Sequence, residues 1–147
     1  MANVKIAIKR LRPEAVYPSY QTSQAAGMDI VACIDEPVII EPHERVILPT
    51  GFAMALPPGY EAQIRARSGL GAKFGIMPAN AVGTVDADYR GEISVALLNT
   101  SNEPFTVTKG MRIAQMVVTQ YDTVIWDEVE ELDDTKRGVG GFGSTGR

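Results

Sequence analysis

Short runs of period-two alternation, cut every 8–12 residues or so by Pro and Gly, constrain the fold of this chain more than any other feature. Val4, Ile6 and Ile8 alternate with Lys5 and Lys9. Tyr60, Ala62, Ile64 and Ala66 alternate with Glu61, Gln63 and Arg65, and Ile93, Val95 and Leu97 repeat the pattern. Alternation puts successive side chains on opposite faces of a strand, one for a core and one for water. Pro37, Pro42, Pro49-Thr50-Gly51, Pro57-Pro58-Gly59, Asn102-Glu103-Pro104 and Lys109-Gly110 separate the runs. Strands of this length and spacing predict an all-β sandwich or barrel. A helical period is confined to 68–74, where Ser68 is the expected cap.

At 147 residues the chain suffices for one domain with one core. Cys33 is the only cysteine and His43 the only histidine. That excludes a disulfide framework, cysteine-histidine catalysis and a zinc centre. The expected states are a buried, inert thiol at Cys33 and an exposed imidazole in the 42–44 turn. A lone thiol suits a reducing, cytoplasmic setting. The N-terminal stretch interrupts its apolar residues with Lys5, Lys9 and Arg10 and reads as neither leader nor membrane span.

The net charge of −4 comes from one place, since residues 127–134 (DEVEELDD) hold six of the 18 acidic residues. We read that run as a solvated spacer. Without a basic excess the chain is no candidate for binding nucleic-acid duplexes. A small anionic ligand stays open, because backbone amides and one or two arginines hold phosphate without a basic surface. The expected organisation is a β domain over 1–126, an acidic connector over 127–136 and a glycine-rich arm over 137–147.

The arm, RGVGGFGSTGR, carries five of the 14 glycines. A disordered end would have no use for a fixed Arg137 and Phe142. Glycine backbones let N–H groups converge on anionic oxygens. Gly143, Ser144, Thr145 and Gly146 add small residues and hydroxyl donors, Arg137 a fork for phosphate, and Phe142 a flat face for a base. The spacing is not that of a Walker loop.

Inside the β region the densest polar cluster is NAVGTVDADYRGE, 80–92. Asp86 follows an apolar approach and is expected at a strand end. Asp86 and Asp88, two apart, are expected on one side of an extended segment. By itself such a pair fits a solvated turn as well as a catalytic site, and Tyr89 fits strand packing as well as a ligand contact. Arg67-Ser68-Gly69, at a strand-to-helix junction, is a candidate phosphate loop. Asp29 and Gln115 each stand alone among apolar residues and are expected to serve neighbouring backbone or a ligand.

Taken in order, AGMDI (26–30), RSGLGAK (67–73), NAVGTVDADYRGE (80–92), RIAQM (112–116) and RGVGGFGSTG (137–146) resemble the five ordered motifs of the trimeric deoxyuridine triphosphatases. The third and fifth motifs are the specific ones. Gly71, Phe74 and Val139 depart from the commoner wording at positions without an assigned role. The resemblance implies a jelly-roll-like, distorted β-barrel, a homotrimer with shared sites, and Mg²⁺-dependent hydrolysis of dUTP to dUMP and pyrophosphate. It implies Asp86 as general base and Tyr89 beneath the deoxyribose. Asn80 with Thr84, Val85 and Asp86 would read the uracil edge and the 3′-hydroxyl. Arg67, Ser68, Gly69 and Gln115 would contact phosphates, and Asp29 would lie near the metal through water. Arg137 with Gly143, Ser144, Thr145 and Gly146 would clamp the γ-phosphate, and Phe142 would cover the base from a neighbouring subunit. A dCTP deaminase on the same fold, or a non-catalytic nucleotide sensor, are the competing expectations. The closing arm and the Asp86–Tyr89 pair speak against the deaminase.

Overall fold

The computed structural model describes residues 3–147; Met1 and Ala2 of the expected domain lie outside the described residues. In chain order the elements are β1 (Ala7–Arg10), β2 (Met28–Val31), β3 (Val38–Ile40), β4 (Arg45–Ala55), β5 (Tyr60–Arg65), α1 (Ser68–Phe74), β6 (Ile76–Pro78), β7 (Gly83–Val85), β8 (Glu92–Asn99), β9 (Phe105–Val107) and β10 (Arg112–Gln120). They form two four-stranded sheets, β1-β4-β8-β6 and β2-β10-β5-β7, and a β3-β9 ribbon. Every pairing is antiparallel. This is a jelly-roll-like, distorted β-barrel, as the family resemblance implies, and it is all-β as the strand pattern predicts. Among the described residues no helix is long and apolar enough to cross a membrane.

The alternating runs bury as their period requires in β5 and β8. Ala62 and Ile64 face inward from β5, as do Ile93, Val95 and Leu97 from β8. They meet Ile30, Ile40, Leu48, Phe52, Ile76, Val107 and Ile113 in one core. The first run behaves differently. All four residues of β1 are exposed, and Ile6 alone of its apolar set packs against the core. β1 is an edge strand paired only with β4, so its apolar face opens on a groove beside Tyr20, Met28 and Val118.

Two fully buried polar side chains show how the barrel closes its irregular places. Thr50 Oγ1 donates to the Ile93 carbonyl where β4 slips register between Pro49 and Ala53. Asn99 donates to the Ile40 and Glu103 carbonyls and accepts from the Ser101 amide and hydroxyl. Its amide thus satisfies turn groups that no ladder reaches.

The helix predicted at 68–74 is present, but the capping expectation fails. Arg67 is the N-cap residue, with no side-chain cap bond, and Ser68 is the first helical residue. The helix ends at Gly75, whose φ of 67° only glycine adopts freely, and the Gly75 carbonyl accepts from the Thr100 amide and hydroxyl at 2.8 Å each.

Cys33 is buried, and burial pushes its thiol above the ordinary range. His43 is exposed with Asn102 as partner. A thiolate, the reactive form, is thus disfavoured at Cys33 by the missing water. We expect a disulfide reagent at pH 8 to leave native Cys33 unmodified over minutes and to titrate it fully in denaturant. Rapid modification of folded protein would show that the site is open.

Candidate active site

The second sheet gathers the sequence motifs. β2 carries AGMDI and β10 carries RIAQM; β5 leads into Arg67-Ser68-Gly69, and β7 leads into Asp86. In the order β2-β10-β5-β7 these four segments are neighbours. The register aligns them further. Gln115 lies opposite Asp29 on one side and Arg65 on the other, while Gln63 lies opposite Thr84. Directly opposed residues share a face. Asp29, Gln115, Arg65, Gln63 and Thr84 therefore line one polar face, and Ile30, Ala62, Ile64 and Met116 lie on the core side.

At the β2–β10 end, Asp29 joins two arginines. Its carboxylate oxygens lie 3.3 Å from Arg67 Nε and 2.9 Å from Arg112 Nη1. Arg67 also donates to the Arg112 carbonyl at 3.3 Å. The Asp29 side chain is only 14% exposed and pairs with both guanidiniums at once. The carboxylate that the resemblance sets near a metal through water is, in the chain itself, paired with Arg67 and Arg112. Gln115 Nε2 donates to the Ala66 carbonyl at 2.9 Å and steadies the turn that leads into Ser68. Gly27 makes room for it, because a Cβ there would fall 2.1 Å from Gln115 Oε1. Ser68 and Gly69 are exposed. Arg112 is the residue that sequence reasoning missed. The signal was a lone Asp and a lone Arg in two apolar segments, each needing an opposite charge.

A sign follows from this arrangement. Asp29→Asn removes the countercharge that orients Arg67, so we expect KM for a phosphorylated substrate to rise about 10-fold with kcat less affected. Steady-state kinetics checks this, and an unchanged KM would remove Asp29 from the orienting role.

The second cluster lies in the seam between the sheets. A cleft of about 350 Å³ is lined from β4 and β8 by Ile47, Ile93, Ser94, Val95 and Ala96, and opposite by Ile64, Asn80, Gly83, Thr84, Val85, Asp86 and Tyr89. Asp86 does stand at a strand end. The extended geometry expected for Asp86 and Asp88 is not observed, because the Tyr89 amide donates to the Asp86 carbonyl at 3.1 Å and makes 86–89 a turn. The approach also differs: Ala81 and Val82 form a bend, with φ of 61° at Ala81, and β7 begins only at Gly83. Arg90 Nη1 donates to the Ala87 and Tyr89 carbonyls and stiffens the turn.

The arm is not brought to either cluster within the chain. β10 ends at Gln120, and every residue from Tyr121 to Val139 is exposed. Arg137 Nε donates to the Gly140 carbonyl, and the Ser144 and Gly146 amides donate to Gly141 and Gly143 carbonyls. Phe142 is fully exposed. Asn80, Thr84, Val85, Asp86 and Tyr89 are therefore assembled in one cleft, and Asp29, Arg67 and Gln115 in the adjoining cluster. Arg137, Phe142, Gly143, Ser144, Thr145 and Gly146 stand away from both.

Comparison with known proteins agrees with this layout. The dUTPase family model matches residues 13–146. A deoxyuridine 5′-triphosphate nucleotidohydrolase of Rickettsia felis is 50% identical over 147 residues, covering 99% of each chain. One from Orientia tsutsugamushi strain Boryong is 48% identical over 146 residues, covering 97% of this chain and 99% of its own. Among solved structures, the G164S mutant of the Staphylococcus bacteriophage 80alpha dUTPase with dUpNHpp superposes with a TM-score of 0.87 at 27% identity, covering 99% of this chain and 100% of that one. With the fold, the four clustered motifs and the full-length match in agreement, this chain belongs to the dUTPase family.

Proposed function

We propose that the chain hydrolyses dUTP to dUMP and pyrophosphate, which limits uracil in DNA and supplies dUMP for thymidylate synthesis. One observation carries the reading: the order β2-β10-β5-β7 sets four motifs from distant parts of the chain side by side, next to the cleft that holds Asp86 and Tyr89. The nucleotidohydrolase names of the relatives and the dUpNHpp bound to the phage 80alpha protein support the same substrate.

In this reading the base enters the seam by Asn80 and the backbone of Thr84, Val85 and Asp86. The deoxyribose lies on Tyr89, which leaves no space for a 2′-hydroxyl. Arg67, oriented by Asp29, joins Ser68, Gly69 and Gln115 on the α- and β-phosphates. Asp86 accepts a proton from a water molecule as its oxygen forms a bond to the α-phosphorus. The bond from that phosphorus to the bridging oxygen breaks, and pyrophosphate leaves. Such a transfer needs positioning and charge stabilisation more than covalent chemistry.

Among the described residues no group of three or more His, Cys, Asp or Glu could hold a metal. That donor set fits Mg²⁺ carried by phosphate oxygens and waters, with Asp29 no closer than through water. When bound, Mg²⁺ supplies charge neutralisation on the triphosphate.

A homotrimer with shared sites is part of the proposal. The arm's remoteness from its own cleft supports it, as do Val124, Ile125 and Trp126, which are 67%, 95% and 89% exposed in the single chain. We place the enzyme in the cytoplasm, where a lone buried thiol is at home. Incubation with a panel of dUTP, UTP, dTTP and dCTP, with and without Mg²⁺, tests the function. Pyrophosphate from dUTP with Mg²⁺ is expected; deamination of dCTP, or no turnover at all, would overturn it.

A further inference from the structure

Tyr89 is 46% exposed, so the core does little to fix its ring. Two local features fix it instead. Its hydroxyl donates to the Glu92 carbonyl at 2.8 Å. Glu92 is itself fastened to β4, because its carboxylate accepts the Gly51 amide at 2.9 Å and it pairs with Ala53 in the ladder. The second feature is an absence of atoms. A Cβ built on Gly91 would lie 2.5 Å from the Tyr89 hydroxyl oxygen, 2.7 Å from Cζ and 3.0 Å from Cε1. These three contacts fall along one edge of one ring. Gly91 is not in the left-handed region, so a side chain there brings no left-handed backbone strain, and the three atoms it would meet first all belong to Tyr89.

We propose that Gly91 is a specificity-determining position that acts through Tyr89: its bare Cα is the seat into which the ring settles, and this sets the plane offered to the sugar. The inference rests on the reading of Tyr89 as the deoxyribose platform. A methyl group at 91 lifts the ring edge off its seat and strains the bond to Glu92. The turn transmits little of this to Asp86, because the Tyr89 amide and Arg90 hold the backbone independently of the ring. The damage therefore falls on discrimination at the 2′ position more than on the hydrolytic step. Gly91 is a positioning residue, since it touches no substrate itself.

The test is a double-mutant cycle read as the ratio of kcat/KM for dUTP to that for UTP. Gly91→Ala should lower the ratio about 10-fold, the usual scale for one misplaced methyl-sized contact. Tyr89→Phe, which loses only the bond to Glu92, should shift it the same way by less. In a Tyr89→Ala background, Gly91→Ala should leave the ratio unchanged, because no ring remains to displace. Circular dichroism melting should show all three single variants folded, as a half-exposed ring contributes little core. An unchanged ratio in Gly91→Ala, or an equal effect with and without the ring, overturns the inference and leaves the proposed function standing. A native protein that does not favour dUTP over UTP overturns both.

Discussion

Asp86→Asn lowers the rate of dUTP hydrolysis by about 10²–10⁴-fold, the worth of a positioned general base, and leaves nucleotide affinity near its native value. The exchange keeps size and hydrogen-bonding capacity but removes the lone pair and charge that take the proton. The turn is indifferent to it, because the Asp86 carbonyl, not its side chain, accepts the Tyr89 amide. Asp86 is exposed in the cleft and holds no ion pair among the described residues, so its loss costs little stability. Single-turnover kinetics beside equilibrium binding of a non-hydrolysable analogue separates the effects. Unchanged turnover would assign the base elsewhere, and lost binding would make Asp86 a substrate contact only.

Deleting residues 137–147 is the second large effect. Activity should fall by at least about 10³-fold, since the truncated chain loses the arm's phosphate donors and the cover that excludes water. The fold should persist, because the arm makes its hydrogen bonds to itself and to Thr135 and contributes nothing to the core. Melting temperature and mass in solution check that half of the claim. Mixing the truncated chain with Asp86→Asn protein then tests sharing between subunits. Mixed assemblies combine an intact Asp86 with an intact arm and should regain activity. No recovery in verified mixed assemblies would mean that each chain closes its own site.

The alternation of the central strands and the place of the helix were legible in this molecule, whereas cap and turn geometry and the pairing of distant segments were not. β5 and β8 follow their alternation because each has a neighbour on both edges and a core beneath one face. β1 carries the same pattern yet stays exposed, because an edge strand with one partner has no sheet to press it inward within the chain. The 68–74 helix was readable from its local period, whereas the Ser68 cap was not, since Arg67 is the residue with extended geometry, at φ −77° and ψ 134°. Asp86 and Asp88 were set on one side by assuming an extended segment, and a single turn bond undoes that assumption. The pairing of Asp29 with Arg112 spans 83 residues, and only the β2–β10 register makes it. The seat under Tyr89 lies in a gap at Gly91, and a missing side chain leaves no signal in a composition or a period.

The account's central claim is that the Asp86 carboxylate activates the attacking water. A crystal structure of the full-length protein with Mg²⁺ and an imido-bridged dUTP analogue tests it most directly. The account predicts an ordered water within about 3 Å of an Asp86 oxygen, roughly in line with the α-phosphorus and the bridging atom to be displaced. A water so aligned but held by another group, with the Asp86 carboxylate turned away from it, would contradict the mechanism.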